Sequence, residues 1–375
     1  MLPKKDMHMG SLVSLRIALI VPTLNAGERW GPFIAALKAQ VASLAWVKDM
    51  SLKPHDAVVL EGKAQHDAVG IAHEQAPLCA QHPSPTQAHP LPIDVVVIDS
   101  GSIDHTVPMA LAAGFEVLKI KGHDFDHGGT RQLAFEHVVQ KMDAAGPYEW
   151  VVLMTQDALL ANPQALATLL SSFKDPDVGA CYGRQLPHQE ATALSAHARA
   201  FNYPHQSMVK SLADKRTLGI KTAFCSDSFA AYRVSALLHV GGFPKRVILG
   251  EDMWVAAKML MQGYKVAYVS EACVHHSHNY SSLEEFRRYF DTGVFHAQAP
   301  WLLEEFGAVQ GEGVRFLRSE LKLANQGSFY KRGQMRLEIL FRTVLKYVGY
   351  QMGKRQAQLP LFLKRRLGLM TGHWR

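Results

Sequence analysis

A chain of 375 residues that is 48% hydrophobic and 19% charged is globular, with room for one large core and an appendage or for two moderate domains. Its four cysteines, Cys79, Cys181, Cys225 and Cys273, have no CxxC spacing, which argues against a disulfide framework or a zinc knuckle and for a reducing, cytoplasmic setting. The net charge of +7 is uneven: from Lys331 onward eleven Lys or Arg face one acid, Glu338, a tail of +10 on a remainder near −3.

In chain order, Lys4 and Lys5 precede only a short apolar stretch around Ile17 to Val21, too brief for a signal peptide. No run of about 18 apolar residues follows, so neither secretion by that route nor a membrane span is expected. The run "RIALIVPTL" (16–24) predicts a buried strand, and Glu28 to Leu44 a helix with Phe33, Ile34, Leu37, Val41 and Leu44 on one face. The stretch Lys48 to Pro92, rich in His, Gln, Ala and Pro, has no sustained period and reads as an inserted, flexible loop. "IDVVVIDSGS" (93–102) is a second strand ending in Asp99, Val107 to Ala113 a helix, "FEVLKI" (115–120) a third strand and Thr130 to Lys141 a helix. "EWVVLMTQD" is the fourth strand, and this alternation implies a mostly parallel sheet covered on both faces.

Thr23, Asn25, Asp99, Ser100, Ser102, Asp104 and Asp157 all fall just past strand carboxyl ends, where open α/β sheets gather ligand-binding groups. Ser102 and Asp104 read equally well as turn formers or helix caps. In the loop "HDFDHGGTRQ" (123–132), two glycines would let backbone N–H groups approach an anion, and Arg131 could fork onto phosphate. Glu251 and Asp252 then open an amphipathic helix ending near Gly263, either as partners of the helix dipole or as an ionised base. After the next strand, "CVHHSHNYSS" (273–282) puts His276 and His278 on one face if the strand persists, where an imidazole could join a carboxylate on a divalent cation; bonding to loop backbone is the alternative.

Beyond Lys331, Leu337, Ile339, Leu340, Phe341, Val344, Leu345, Tyr347 and Val348, then Leu359, Leu361, Phe362 and Leu363, interleave with the basic residues at helical spacing. This reads either as a segment lying on anionic membrane or as a helical hairpin packed on its own domain with a solvated basic face. Nucleic acid is not expected as a partner, because no recognised binding motif accompanies the charge.

Together, Pro22-Thr23-Leu24-Asn25, "VVVIDSGSIDHT", "TQD" and "GEDMW" resemble glycosyltransferase family two, whose members carry the GT-A fold, an α/β nucleotide-diphosphosugar transferase fold. "FDHGGTRQ", "TQDA" and "HHSHNYSSLEEFRRYFDTGVFH" are similar more narrowly to bacterial rhamnosyltransferases of O-antigen and exopolysaccharide assembly, the likeness covering roughly residues 16–300. The resemblance implies a GT-A domain over 1–305, with the insertion at 48–92 and an acceptor-side half at 180–300, followed by a helical basic extension over 306–375. It implies that Thr23, Asn25, Asp99 and Ser102, with Pro22, Ser100 and Gln156 beside them, line the nucleotide pocket and that Arg131 contacts the nucleotide or its phosphates. Asp157 corresponds to the last acid of the family's D-x-D signature and would hold Mg²⁺ or Mn²⁺ with His276 or His278. Thr155 replaces the signature's first acid, which would weaken metal affinity.

Asp252 would be the catalytic base, with Glu251 as its substitute, and Ser226, Asp227 and Ser228 would be acceptor or diphosphate contacts or a structural turn. The implied activity is inverting transfer from dTDP-L-rhamnose to a glycan or a polyprenyl-linked oligosaccharide, by an enzyme that is cytoplasmic or peripheral on the inner face of the membrane. Another UDP-, GDP- or dTDP-sugar donor, or a non-catalytic sugar-nucleotide-binding protein, are the competing readings. A nucleotidyltransferase or a dinucleotide-binding domain would need a Gly-rich loop after the first strand, which "VPTLNAGERW" lacks.

Overall fold

The computed structural model describes residues 16–44, 93–142, 147–308, 311–325 and 329–375; the insertion expected over Lys48 to Pro92 lies outside them. The first unit is β1 (Arg16–Thr23), α1 (Trp30–Ser43), β2 (Ile93–Asp99), α2 (Thr106–Ala112), β3 (Glu116–Lys119), α3 (His127–Gln140) and β4 (Tyr148–Met154). β5 (Leu159–Leu160), α4 (Ala165–Leu170), β6 (Val178–Leu186), α5 (Ala193–Asn202), β7 (Met208–Lys210) and α6 (Lys215–Leu218) follow. Then come β8 (Phe229–Arg233), α7 (Val234–His239), α8 (Glu251–Met261) and β9 (Lys265–His275). The chain closes with α9 (Ser282–Gln298), α10 (Pro300–Phe306), α11 (Glu312–Leu323), α12 (Phe329–Lys354) and α13 (Leu361–Leu367).

One sheet runs β3-β2-β1-β4-β8-β6-β9-β5, with β7 pairing the side of β9. The first four strands are parallel, as the βαβ alternation predicts, whereas β8 enters antiparallel between β4 and β6, so the whole sheet is mixed. Because side chains alternate along a strand, β1 feeds two cores. Ala18 and Ile20 face a core with Phe135 and Val138 of α3 and Val255 and Leu260 of α8. Ile17, Leu19 and Val21 face the other, with Trp30, Phe33 and Leu37 of α1.

Two local departures matter for the site. α3 starts at His127, three residues before the expected Thr130, because the Asp126 carboxylate caps it by accepting from Gly129 N at 2.8 Å. The Gly128-Gly129 pair is therefore inside a helix, not in an open loop. At Gly128 a Cβ would sit 1.8 Å from the Pro244 carbonyl, so the residue's smallness lets α3 pack on the segment that leads into α8. At the other end, β9 stops at His275, and His276 and His278 sit in the loop beyond it.

The C-terminal helix α12 packs along α9 through Gly349 and Gly353, where a Cβ would lie 2.5 Å from the Phe286 carbonyl and 2.0 Å from that of Phe290. Its inward cations are consumed there: Arg342 and Lys346 pair with Glu285 at 3.2 and 3.4 Å. Among the described residues, no helix is long and apolar enough to cross a membrane.

Candidate active site

The carboxyl ends of β1, β2 and β4 are laced into one edge. Buried Asp99 accepts from Thr23 Oγ1 at 3.2 Å, from Ser102 Oγ, and from the backbone N–H groups of Gly101 and Ser102, each at 3.0 Å. Ser102 Oγ in turn accepts from Asn25 N at 2.8 Å, and Asn25 Oδ1 accepts from Ile103 N at 2.9 Å. Gln156 bonds both backbone groups of Leu24, accepting from its N–H at 2.8 Å and donating to its carbonyl at 3.0 Å. Thr23, Asn25, Asp99, Ser102 and Gln156 are thus held together, with Ser100 Oγ buried beside them and without a protein partner, while Pro22 pairs with Ile98 inside the sheet. Asp104 accepts from Thr106 N and Gly27 N, in the turn that leads into α2.

Asp157 stands two residues further along the β4 exit than Thr155. Its Oδ2 lies 3.4 Å from His276 Nε2 and 3.8 Å from His278 Nε2, and one ligand atom from each of the three residues falls within 4.8 Å of the others. Burial alone would raise the Asp157 pKa, but the hydrogen bond from His276 and the two imidazoles hold it well below the usual carboxylate range. Burial and the neighbouring His276 push His278 down to about 4, so its ring is neutral and free to ligate. His276 Nδ1 is 3.0 Å from Gln185 Oε1, an acceptor, so Nδ1 carries a proton and Nε2 is the ring nitrogen turned to the side of Asp157. One carboxylate and two imidazoles, one of them oriented from behind, fit a divalent cation. A cavity of about 320 Å³ opens beside them, bordered by Arg29, His188, Glu190, His278, Asn279 and Tyr280.

A second cluster forms where α8 begins. The buried Arg131 guanidinium bridges two carboxylates, with Nε 3.0 Å from Asp227 Oδ2 and Nη1 3.0 Å from Glu251 Oε1. Arg131 therefore lies with these acids and not with the residues at the β1 and β2 ends. Burial raises Glu251, but Arg131 and His127 overcome it and keep the group ionised. Asp227 moves upward despite Arg131, through burial, and its Oδ1 accepts from Tyr232 OH at 2.6 Å. Among the described residues Asp252 forms no ion pair, and Arg131 acts on it only as its weakest influence. Asp252 is half-buried, accepts from Asp227 N at 3.2 Å, and is raised to about 6 by burial and by the charge of Glu251. Of the two adjacent acids, Glu251 is neutralised and inaccessible, while Asp252 is accessible and basic enough to take a proton near neutral pH.

The two clusters are joined by a chain of hydrogen bonds. From His276 the path runs to Gln185 Oε1, then from Gln185 Nε2 to Ser226 Oγ at 2.9 Å, and from the adjoining Asp227 N to Asp252 Oδ2. The positive charge of Arg288 on α9 acts on Glu251 on one side and on His278 on the other. Gln185, Arg199, which donates to Gln185 Oε1, and Arg288 were not singled out by the sequence reading. The only signal available for Arg288 was its place in "SLEEFRRYF", downstream of the histidines.

A family model described as "Glycosyltransferase like family 2" matches residues 84–290. The chain is 41% identical over 363 residues to the O-antigen chain rhamnosyltransferase RfbN of Salmonella typhimurium, with 96% of each chain covered. The chain belongs to glycosyltransferase family 2. A second member, the O-antigen chain rhamnosyltransferase WbaN of Salmonella anatum, is 44% identical over 285 residues, 76% of this chain and 86% of that one. Among solved structures, the mannosyltransferase PcManGT from Pyrobaculum calidifontis, described in complex with GDP-Man and Mn²⁺, shares the fold. The TM-score is 0.52 at 16% identity, over 94% of this chain and 92% of that one. This family 2 transferase therefore has the GT-A fold expected from its motifs.

Proposed function

We propose that this family 2 enzyme transfers L-rhamnose from dTDP-L-rhamnose to a glycan or polyprenyl-linked oligosaccharide in O-antigen synthesis, with inversion at the anomeric carbon. The rhamnosyl reading is supported by the names of two relatives that match at 41% and 44% identity. The mechanistic reading is carried by one observation: Asp157 is partnered by two imidazoles, whereas Asp252, linked to them through Gln185 and Ser226, forms no ion pair among the described residues.

The Asp99, Thr23, Ser102, Asn25 and Gln156 edge, with Pro22 and Ser100, would receive the nucleoside. Mg²⁺ or Mn²⁺ held by Asp157, His276 and His278 would neutralise the diphosphate as the leaving group departs. Arg199 and Arg288 add fixed positive charge on the same side. Asp252 takes the proton of the acceptor hydroxyl while that oxygen bonds to C1; the bond from C1 to the phosphate oxygen breaks, and the nucleoside diphosphate leaves with the electron pair. A single displacement turns a β-linked donor into an α-rhamnoside. In this reading Arg131 does not touch the nucleotide; it neutralises Glu251 and Asp227 so that Asp252 alone serves as base. The acceptor enters from the 180–300 half, and the enzyme works in the cytoplasm, at the inner face of the membrane when its acceptor is lipid-linked.

The test is release of nucleotide from a panel of UDP-, GDP- and dTDP-sugars with Mg²⁺ or Mn²⁺ and a polyprenyl-linked acceptor, with Asp157→Ala as control. Release from dTDP-L-rhamnose alone, lost in the variant, is expected. Release from a different donor would discard rhamnose and keep the mechanism. Binding of no nucleotide sugar would overturn the enzymatic reading.

A further inference from the structure

The helix α12 has two faces that each look like an interior. One carries buried Ile339, with Gly349 and Gly353 packed against α9. Roughly opposite, at 100° per residue, Leu337, Leu340, Phe341, Val344, Tyr347 and Val348 form a continuous stripe, and all six are between 40% and 70% exposed. Its outer side is open, and Gln358 and Leu359 border a groove beside Tyr347 and Val348. At the next turn of the chain Leu361 and Phe362 are likewise exposed, at 50% and 68%. A soluble monomer seldom leaves so long an apolar stripe to water without a partner.

The charge around the stripe identifies that partner. Arg342 and Lys346 are spent on Glu285, but Arg336, Lys354, Arg355, Arg365 and Arg366 are exposed near the stripe or beside Phe362. The one acid on α12, Glu338, is already paired with Arg342 at 2.9 Å. A second copy docking through the same face would set these cations against each other with no carboxylate to answer them. An anionic lipid surface answers both features, taking the apolar stripe into the headgroup boundary and the flanking cations against phosphate.

We propose that the outward face of α12, continued by the start of α13, docks on an anionic bilayer. This deepens the lipid-linked-acceptor reading above and rests on it only for its purpose. Docking would carry the site with it, because Arg342 on the inner face donates to the Tyr280 carbonyl at 2.9 Å, in the loop that follows His276 and His278.

The full chain is co-sedimented with vesicles of phosphatidylglycerol and phosphatidylethanolamine and with vesicles of phosphatidylcholine alone. Binding is expected only to the anionic vesicles and should fall as salt is raised. The double variants Phe341→Glu/Val344→Glu and Arg336→Glu/Lys354→Glu should each bind about tenfold or more weakly. Equal binding to neutral vesicles, no binding, or binding that neither variant alters would overturn the proposal. So would a dimeric mass by light scattering that Phe341→Glu/Val344→Glu converts to monomer, which would make the face a self-interface. Unfolding of the variants is read from their melting curves, and single-residue Val344→Ser and Lys354→Gln then replace them. Transfer to a water-soluble acceptor is followed in the same preparations: its loss in wild type would overturn the enzymatic reading, and its retention without vesicle binding would overturn only the docking surface.

Discussion

Arg131 Nη1 lies 3.0 Å from Glu251 Oε1 while its Nε lies 3.0 Å from Asp227 Oδ2, so one buried guanidinium holds two buried acids on either side of the base candidate Asp252. Removing one member of such a group leaves charge buried without compensation. Arg131→Met should cost about 3–5 kcal/mol of stability. Arg131→Lys, which keeps the charge but has no second planar donor to reach both acids, should fall between the two. Thermal melting of the three proteins checks this; a lysine variant as unstable as the methionine one would mean that packing, not charge, sets the cost.

The proton acceptor can be separated from its neighbour by two substitutions. Asp252→Asn should lower kcat roughly 10²–10⁴-fold, the range general base catalysis supplies, with little change in donor KM. Glu251→Asp keeps the charge beside Arg131 and should retain far more activity. Steady-state kinetics on both decides: transfer by Asp252→Asn at wild-type rates would remove Asp252 from the role.

A base raised to about 6 sets the sign of the pH profile. The proton acceptor must be ionised, so kcat/KM should climb as pH rises through about 6 and then level off. Burial lifts this pKa, and the charge of Glu251 lifts it further. Glu251→Gln removes that charge, so the midpoint should move to lower pH even if the plateau drops. An unmoved midpoint would place the titrating group elsewhere.

For the metal, binding of Mn²⁺ to the full chain measured by electron paramagnetic resonance needs no turnover. Asp157→Ala should abolish it. Gln185→Ala leaves all three ligands in place and removes the acceptor behind His276 Nδ1, together with the bonds to Ser226 and Arg199, so it should weaken binding about 10–100-fold. Unchanged affinity in Gln185→Ala would mean that the imidazole is oriented by packing alone.

How much of this was readable beforehand depends on the range of each contact. The strand ends carrying Thr23, Asp99 and Asp157 were legible because a buried apolar run that stops at a polar residue is a local pattern, and the parallel order of β1 to β4 follows from βαβ connection. Gln185 was invisible because its partner His276 is 91 residues away, and no period links them. Arg131 was placed near phosphate because Gly128 and Gly129 read as an open loop; the Asp126 cap turned that loop into the first turn of α3, which aims the guanidinium inward at Asp227 and Glu251. In α12 the mix of basic and apolar residues was plain, but which face packs is decided by Gly349 and Gly353 against α9, a relationship between segments that composition does not carry.

The same capping turn makes Gly128 a position that tests the coupling between fold and chemistry. A methyl group there would meet the Pro244 carbonyl at 1.8 Å and Glu251 Cβ at 3.3 Å, and the first of these is backbone that a rotamer change cannot move aside. Gly128→Ala must therefore push the 243–250 segment away from α3, at about 1–3 kcal/mol for overpacking. Because Arg131 rides on α3 and Glu251 opens α8, that shift draws the guanidinium away from the acids at the start of α8. The variant should melt lower and should also show its kcat/KM midpoint at higher pH, since the Arg131 charge, which holds the Asp252 carboxyl down, moves away from it. A lower melting temperature with an unchanged midpoint would mean that the packing of Gly128 and the ionisation of the base are independent.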